Sequence, residues 1–282
     1  MEGTKVWQII AGGAKLLEEA GVANEKVEAA LLLCKLLGWD SVQLLINNQL
    51  ELTKKQIKDF YELIKLRQTR YPLQYITGIQ EFMGFEFKVS PDVLIPRGDT
   101  EVLVESVLDK GLPETGLTVV DVGTGSGAIA VSLAKFRPYW QVYATDASEA
   151  ALRVASENSS RHGVEITFLQ GNLLEPIRNL AIKPHIIVSN PPYIAASEIP
   201  DLMKEVLYEP RVALDGGIDG LEVYRKLIPQ SFELLQPGGS IFLEIGSSQG
   251  EAVAEICADH GFNGIEVLTD YQGLPRVVFA MR

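Results

Sequence analysis

Two short stretches of this 282-residue chain combine residue types and spacing that could do chemistry, and each stands where a strand-like run ends. The first is Asp121-Val122-Gly123-Thr124-Gly125-Ser126-Gly127, after the apolar run 117–122 and before a helical segment 128–135. A strand, a glycine-rich turn and a helix make a nucleotide-type site at the carboxyl edge of a parallel sheet. Glycine serves there because a Cβ would block close approach of the backbone to a ligand. Asp146 closes the next run, 141–145, where an acid can accept hydrogen bonds from both ribose hydroxyls. Ala128 fills the last place of G-x-G-x-x-G/A, so the glycines alone leave NAD and S-adenosylmethionine both open.

The second stretch is Ser189-Asn190-Pro191-Pro192-Tyr193, after the run 185–188. Consecutive prolines stiffen the turn and remove backbone donors. Backbone carbonyls and the Asn190 side-chain oxygen remain as acceptors, and Tyr193 adds an aromatic wall. Such a corner suits a planar group carrying –NH2, with one hydrogen on Asn190 Oδ1 and the other on the Pro191 carbonyl. Next to the glycine turn it favours methyl transfer to nitrogen. An NAD-linked oxidoreductase would lack a proton donor and leave Asn190 to Tyr193 without a role. Glu244, in Leu243-Glu244-Ile245-Gly246, is the nearest titratable group, read either as a base or as a strand-end acid capping the next turn. Arg97, Asp99 and Glu101 also admit two readings: a helix cap with a dipole partner, or a loop closing over the cofactor.

The elements that must position these residues follow from periodicity. Segments 7–17, 26–37, 41–46 and 53–70 read as four helices, with Ser41 as an N-cap and Phe60, Leu63 and Ile64 on one face. They suggest a small bundle with no set of acid, base and nucleophile, read as a recognition module. Pro72 ends the last helix. Segments 73–76 and 82–89 then alternate and carry aromatics, with 77–80 between them, which reads as a β-hairpin connector. Beyond it, strand-like runs 117–122, 141–145, 166–169, 185–188, 241–243, 265–268 and 277–280 alternate with helices 99–108, 128–135, 149–161, 221–235 and 251–260. The pattern predicts an α/β, doubly wound, mostly parallel seven-stranded sheet. The link between the last two strands is too short for a helical crossover, so one of them should run antiparallel. The expected divisions are a helical domain over 1–71, a hairpin linker over 72–92 and the α/β domain over 93–282. Trp7, Trp39 and Trp140 read as core.

Composition narrows the chemistry further. The chain has 25 Lys and Arg against 37 Asp and Glu, a net of −12. Residues 1–80 hold 10 basic and 9 acidic side chains, and the remainder holds 15 and 28. An acidic domain repels a phosphate backbone, which argues against a nucleic-acid partner. No apolar run reaches the roughly 18 residues that span a bilayer. The opening Met1-Glu2-Gly3-Thr4-Lys5 is no basic leader, so a cytoplasmic protein is expected. Cys34 and Cys257 read as buried thiols in a reduced compartment. With only His162, His185 and His260 beside them, no metal centre is expected.

Together, Gly123 to Gly127, Asp146 and Asn190 to Tyr193 resemble class I S-adenosylmethionine-dependent methyltransferases that modify exocyclic or amide nitrogens. Pro72-Leu73-Gln74-Tyr75-Ile76-Thr77-Gly78, Ile95-Pro96-Arg97-Gly98-Asp99-Thr100-Glu101 and Glu209-Pro210-Arg211-Val212-Ala213-Leu214 are similar to the release factor glutamine methyltransferase family (HemK/PrmC), as are the glycines around Asp219. The resemblance spans essentially the whole chain. It implies a Rossmann-like methyltransferase sheet behind an N-terminal helical domain. The implied cofactor is S-adenosyl-L-methionine, with S-adenosyl-L-homocysteine as product. The implied reaction methylates the N5 amide nitrogen of the glutamine in the Gly-Gly-Gln motif of class 1 peptide chain release factors.

In those terms Gly123, Thr124, Gly125, Ser126, Gly127, Asp146, Asn172, Leu173 and Asn190 would meet the cofactor. Asn190, Pro191, Pro192 and Tyr193 would hold the substrate, with Asn190, Pro191 and Tyr193 as the catalytic set. Two departures from the family pattern stand out. Gly98 replaces a usual proline, and Asn172-Leu173 replace a usual Asp and aromatic. Asn172 can still accept from the adenine amino group, while Leu173 can only pack on the ring. A monomer without membrane or direct nucleic-acid contacts is expected. The alternative functions are methylation of an exocyclic amino group on an extruded nucleic-acid base and a non-catalytic adaptor.

Overall fold

The computed structural model describes residues 4–110 and 116–282. Met1 to Gly3, part of the stretch read above as no leader, lie outside the described residues. The chain divides into two compact units. The first runs to Ile79 and takes in Met203–Tyr208; the second comprises Gln80–Leu202 and Glu209–Arg282.

The first unit holds α1 (Val6–Glu19), α2 (Glu25–Leu37), α3 (Ser41–Ile46), α4 (Lys54–Gln68) and α5 (Leu73–Thr77). Val6, Ile9, Leu17, Leu32, Leu33, Phe60 and Ile64 form its core, the stripe expected of amphipathic helices. Trp7 stands one position off that stripe and is 49% exposed, which corrects its reading as core. The cap of α3 also differs: Asp40, not Ser41, accepts from the Gln43 N–H at 2.7 Å, while Gln43 Oε1 accepts from the Asp40 N–H at 3.0 Å. This reciprocal pair satisfies two donors that Ser41 could not serve.

Residues 73–76, expected as a strand, form α5 instead. Pro72 sets φ at −55° just before it, and Gly78, at φ +77°, ends it by donating to the Gln74 carbonyl at 2.7 Å. The hairpin lies one step later, as β1 (Ile79–Phe82) and β2 (Phe85–Lys88). Its turn, Met83-Gly84, falls inside the stretch expected as one strand. Both residues have positive φ (+53° and +76°), the two-residue geometry that suits the twist of a hairpin.

The hairpin is built into the second unit. Phe82 and Phe87 join the core that covers one face of the large sheet. The fully buried Asn158 accepts from the Lys88 N–H at 2.7 Å and donates to the Lys88 and Ser126 carbonyls at 2.9 and 2.8 Å.

After a 3-10 turn (Gly98–Thr100), the second unit continues as α6 (Glu101–Lys110), β3 (Thr118–Val122), α7 (Ala128–Phe136), β4 (Gln141–Asp146), α8 (Glu149–His162), β5 (Thr167–Gln170), α9 (Glu175–Asn179) and β6 (Ile186–Ser189). Then come α10 (Glu222–Leu234), β7 (Ser240–Glu244), α11 (Gly250–Asp259), β8 (Asn263–Thr269) and β9 (Pro275–Met281). The strand order is β5-β4-β3-β6-β7-β9-β8. All neighbours are parallel except that β9 runs antiparallel to β7 and β8, as the short last link requires. Alternate residues of β3 feed opposite cores, Val119 one and Val120 the other, as in a sheet covered on both faces.

The chain winds outward from β3 to β5 in one direction and from β6 to β7 in the other. The reversal lies between β3 and β6, which pair with Val122 opposite Ser189. A crevice opens at the carboxyl ends of the strands at such a switch point. No described helix is long and apolar enough to cross a membrane. Cys34 and Cys257 are buried free thiols.

Candidate active site

The turn after β3 is held by backbone bonds. The Gly123 and Thr124 N–H groups donate to the Thr145 carbonyl at 2.8 and 3.0 Å, and the Gly127 N–H to the Thr124 carbonyl at 2.8 Å. Gly123 and Gly125 adopt φ of +73° and +55°, and a Cβ on either would stand in open space with nothing within 4 Å. The chain has kept room there that any other residue would fill.

Asp146, at the end of β4, accepts from the Gly125 N–H through Oδ2 and from the Ser148 N–H through Oδ1, both at 2.9 Å. Each carboxylate oxygen keeps further acceptor capacity. Beneath the turn, Asp121 is fully buried and accepts from the Thr124 hydroxyl at 2.7 Å. Burial pushes its carboxyl up to about 7, against the opposing pull of the Thr124 hydroxyl and the Ala130 N–H.

Leu94, Pro96, Arg97, Thr100, Gly123 to Ser126, Ala128, Ile129 and Asn190 line one open cleft. Gly123 to Ser126 and Asn190 therefore share one opening, while Gly127, Asp146 and Pro191 to Tyr193 are not among the residues that line it. The Arg97 loop belongs to it as well. Buried Glu209 holds that loop by accepting from the Ile95 N–H at 3.1 Å and by pairing with Arg97. The cap reading of Asp99 does not hold. No side chain caps that turn, and Asp99 pairs instead with Arg276 at 3.1 Å. Glu101 accepts from the Met83 N–H at 2.6 Å, which ties α6 to the hairpin turn.

The Asn190 corner is built from side chains. Ser189 donates to the Val122 carbonyl at 2.7 Å and ties the ends of β6 and β3 together. Asn190 Nδ2 donates to Thr100 Oγ1 at 3.1 Å, which leaves Oδ1 as the free end of the carboxamide. Pro191 is buried, while Pro192 and Tyr193 are half-buried. The Tyr193 hydroxyl donates to Glu244 Oε1 at 3.4 Å, and its backbone carbonyl accepts from Gln249 Nε2 at 2.9 Å. Gly220 stacks against the same backbone so closely that a Cβ would sit 2.3 Å from the Tyr193 carbonyl oxygen.

Glu244 ends β7 and is 1% exposed. Burial raises its carboxyl to about 7, opposed by the Thr100 hydroxyl and the Arg276 charge. Burial and the Glu244 charge push the Tyr193 phenol up to about 12.

Asn172 and Leu173 follow β5 and are not among the residues that line this cleft. Their loop still reaches its neighbour: the Gly171 N–H donates to the Asp146 carbonyl at 3.0 Å and the Thr145 hydroxyl to the Leu173 carbonyl at 2.9 Å. Sequence reasoning missed Thr100, Glu209, Gln249 and Arg276 as supports of the site. Thr100 and Glu209 lie inside quoted motifs, but nothing in their spacing says that they meet Asn190 and the Arg97 loop. Among the described residues, no three His, Cys, Asp or Glu gather as a metal ion would require.

Comparison with known proteins agrees with this geometry. Residues 8–78 match the PrmC N-terminal domain and residues 98–218 the methyltransferase small domain. The chain is 46% identical to the release factor glutamine methyltransferase of Moorella thermoacetica over 98% of both chains. It is 43% identical to that of Geobacter sulfurreducens over 93% of this chain and 91% of the relative. Among solved structures, a methyltransferase from Pyrococcus furiosus superposes with a TM-score of 0.52 at 18% identity, over 82% of this chain and 98% of that one. The 16S rRNA N2 G1207 methyltransferase of T. Thermophilus, in complex with AdoMet and guanosine, superposes at 0.54 with 19% identity, over 72% and 49%. These two likenesses concern the fold alone. The near-full-length identity settles the family, and this chain is a member of the release factor glutamine methyltransferases.

Proposed function

We propose that the protein methylates the side-chain amide nitrogen, N5, of the glutamine in the Gly-Gly-Gln motif of class 1 peptide chain release factors, with S-adenosylmethionine as donor. One observation carries the reading. Asn190 lines the same cleft as Gly123 and Gly125, with its own amide nitrogen spent on Thr100 and its oxygen left to accept. Relatives covering nearly the whole chain bear the matching name.

The cleft suits the cofactor. Gly123 and Gly125 leave space that a Cβ would fill, and Asp146 keeps acceptor capacity for the ribose hydroxyls. We assign Gly123 to Gly127, Asp146 and Asn190 to its binding, with Asn172 and Leu173 on the adenine. When bound, S-adenosylmethionine supplies an electrophilic methyl group on a sulfonium.

A carboxamide nitrogen is a poor nucleophile because its lone pair is delocalised into the carbonyl. Asn190 Oδ1 and the Pro191 carbonyl take its two hydrogens, fix its direction and favour the positive charge that develops on it. Pro192 stiffens the turn and Tyr193 packs on the amide face. Such alignment contributes up to roughly 7–11 kcal/mol, and preorganised dipoles add to it. The nitrogen sheds one hydrogen as a proton to water. The site is complete on one chain, and its place of action is the cytoplasm. The nucleic-acid alternative is not favoured, because residues 81–282 carry 15 basic against 28 acidic side chains.

The test is transfer of a labelled methyl group to an unmodified release factor and to its variant with alanine at the Gly-Gly-Gln glutamine. Label on the first and none on the second is the expected outcome. Equal label on both would overturn the assignment.

A further inference from the structure

We propose that Glu244 is a positioning residue that acts through Thr100 to fix which end of the Asn190 carboxamide faces the substrate. The inference rests on the reading of Asn190 as acceptor for the substrate amide. The two ends of an asparagine carboxamide have nearly the same shape and opposite hydrogen-bonding sense. Only the oxygen end can take a hydrogen from a glutamine amide; the nitrogen end would meet donor with donor. A half-turn of the side-chain amide exchanges them, so something must choose.

Thr100 makes that choice. Its hydroxyl accepts from Asn190 Nδ2 at 3.1 Å and has one hydrogen of its own to give. Thr100 is 4% exposed, so bulk water is a poor recipient. The recipient assigned here is the Glu244 carboxyl, whose ionised form the Thr100 hydroxyl stabilises. Glu244 has the capacity to accept it: Oε1 takes a long contact from the Tyr193 hydroxyl at 3.4 Å, and Oε2, buried and without a hydrogen-bond partner, is the oxygen that the rotatable Thr100 hydroxyl would satisfy.

An ionised carboxylate only accepts, so the hydrogens run one way, from Asn190 to Thr100 to Glu244. A protonated Glu244 would offer a hydrogen instead. Thr100 could then turn its own hydrogen to Asn190 Oδ1, and the carboxamide would present its NH2 group to the cleft.

The surroundings bear on that ionisation from four elements. Arg276 on β9 favours the charged form, and Asp99 in the 3-10 turn opposes it. Tyr193, after β6, donates to the carboxyl, and Tyr224 on α10 donates to the Glu244 backbone carbonyl at 2.7 Å. Burial outweighs the favourable contacts and raises the group to about 7, so the polarity of the chain should change near neutral pH.

The test measures kcat for labelled methyl transfer by the full chain as a function of pH. The proteins compared are wild type, Glu244→Gln, Thr100→Val, Thr100→Ser and the double variant E244Q/T100V. The first two substitutions should each lower kcat about 10–100-fold, the usual cost of removing an orienting partner. Affinity for S-adenosylhomocysteine should stay within about twofold. The double variant should be no worse than the worse single, as members of one chain are not additive. Thr100→Ser should restore most of the rate. Wild-type kcat should rise with pH through about 7, and this limb should be missing in Glu244→Gln.

Wild-type rate and pH profile in Glu244→Gln, or losses that multiply in the double variant, would overturn the proposal. Should Glu244→Gln fail to bind S-adenosylhomocysteine, Thr100→Val against Thr100→Ser decides it, since the two differ in the hydroxyl. Equal labelling of the release factor and its alanine variant by wild type would overturn the substrate reading, and this proposal with it. Specific labelling by wild type with an unaltered Glu244→Gln would overturn this proposal alone.

Discussion

The turn after β3 and the corner after β6 begin from paired residues, Val122 and Ser189, yet they are built by different means. The glycine turn is a backbone structure. Its N–H groups bond to Thr145 and Asp146, and its open side follows from missing side chains. The asparagine corner is a side-chain structure, in which Thr100, Asn190 with Tyr193, and Glu244 with Gln249 meet from three stretches of chain. A backbone site depends on φ and on empty space. A side-chain site depends on hydrogen-bond direction and on the charge state of a buried acid. The first suits an invariant task, holding a common cofactor. The second suits discrimination, because a misdirected hydrogen bond rejects a substrate by more than a missing contact does.

The largest effect should come from Asn190→Ala, which removes the acceptor we propose for the reacting nitrogen. We expect a loss of about 10²–10³ in kcat, while S-adenosylhomocysteine affinity measured by calorimetry falls by less than in Gly125→Ala. Gly125→Ala should do the reverse. Its Cβ would enter the room that the turn leaves open, so cofactor-product affinity should fall roughly tenfold with kcat at saturating cofactor little changed, while the positive φ costs the fold about 1–2 kcal/mol. If Asn190→Ala weakened cofactor binding as much as Gly125→Ala, the division of labour between the corners would be wrong.

A third effect concerns stability. Burial raises the Asp121 carboxyl from 3.8 to about 7, so the folded state holds that proton more tightly than the unfolded chain. The stabilisation is complete below about pH 4 and lost as pH rises to about 7. The melting temperature of Asp121→Asn relative to wild type should therefore climb across that interval and level off above it. A flat difference would mean that the acid beneath the glycine turn does not titrate there.

The contrast between the corners also explains what could be read from the sequence. Gly123 to Gly127 and Asp146 were legible because a backbone site leaves glycines in a row and an acid at the next strand end. The seven strands, with β9 antiparallel to its neighbours, were legible from apolar runs and link lengths. Asn190 to Tyr193 were legible as a unit, but the partners of Asn190 were not. Thr100 stands 90 residues upstream of Asn190, and only the sheet's switch point brings them together. Residues 73–76 misled because alternation over four positions with an aromatic suits either a strand or one helical turn. The proline before them and the glycine after them decided for the helix. Asp99 looked like a cap by its place, and an arginine from the far end of the chain claimed it.

The buried Asn158 has a consequence for how far the protein can be dissected. Its amide joins both backbone groups of Lys88 to the Ser126 carbonyl in the glycine turn. A fragment that began after the hairpin would strand that amide in an apolar interior, at about 1–3 kcal/mol for each polar group left unmatched. The smallest autonomous catalytic piece therefore starts before the two short strands, which serve as a brace for the nucleotide turn and not as a tether.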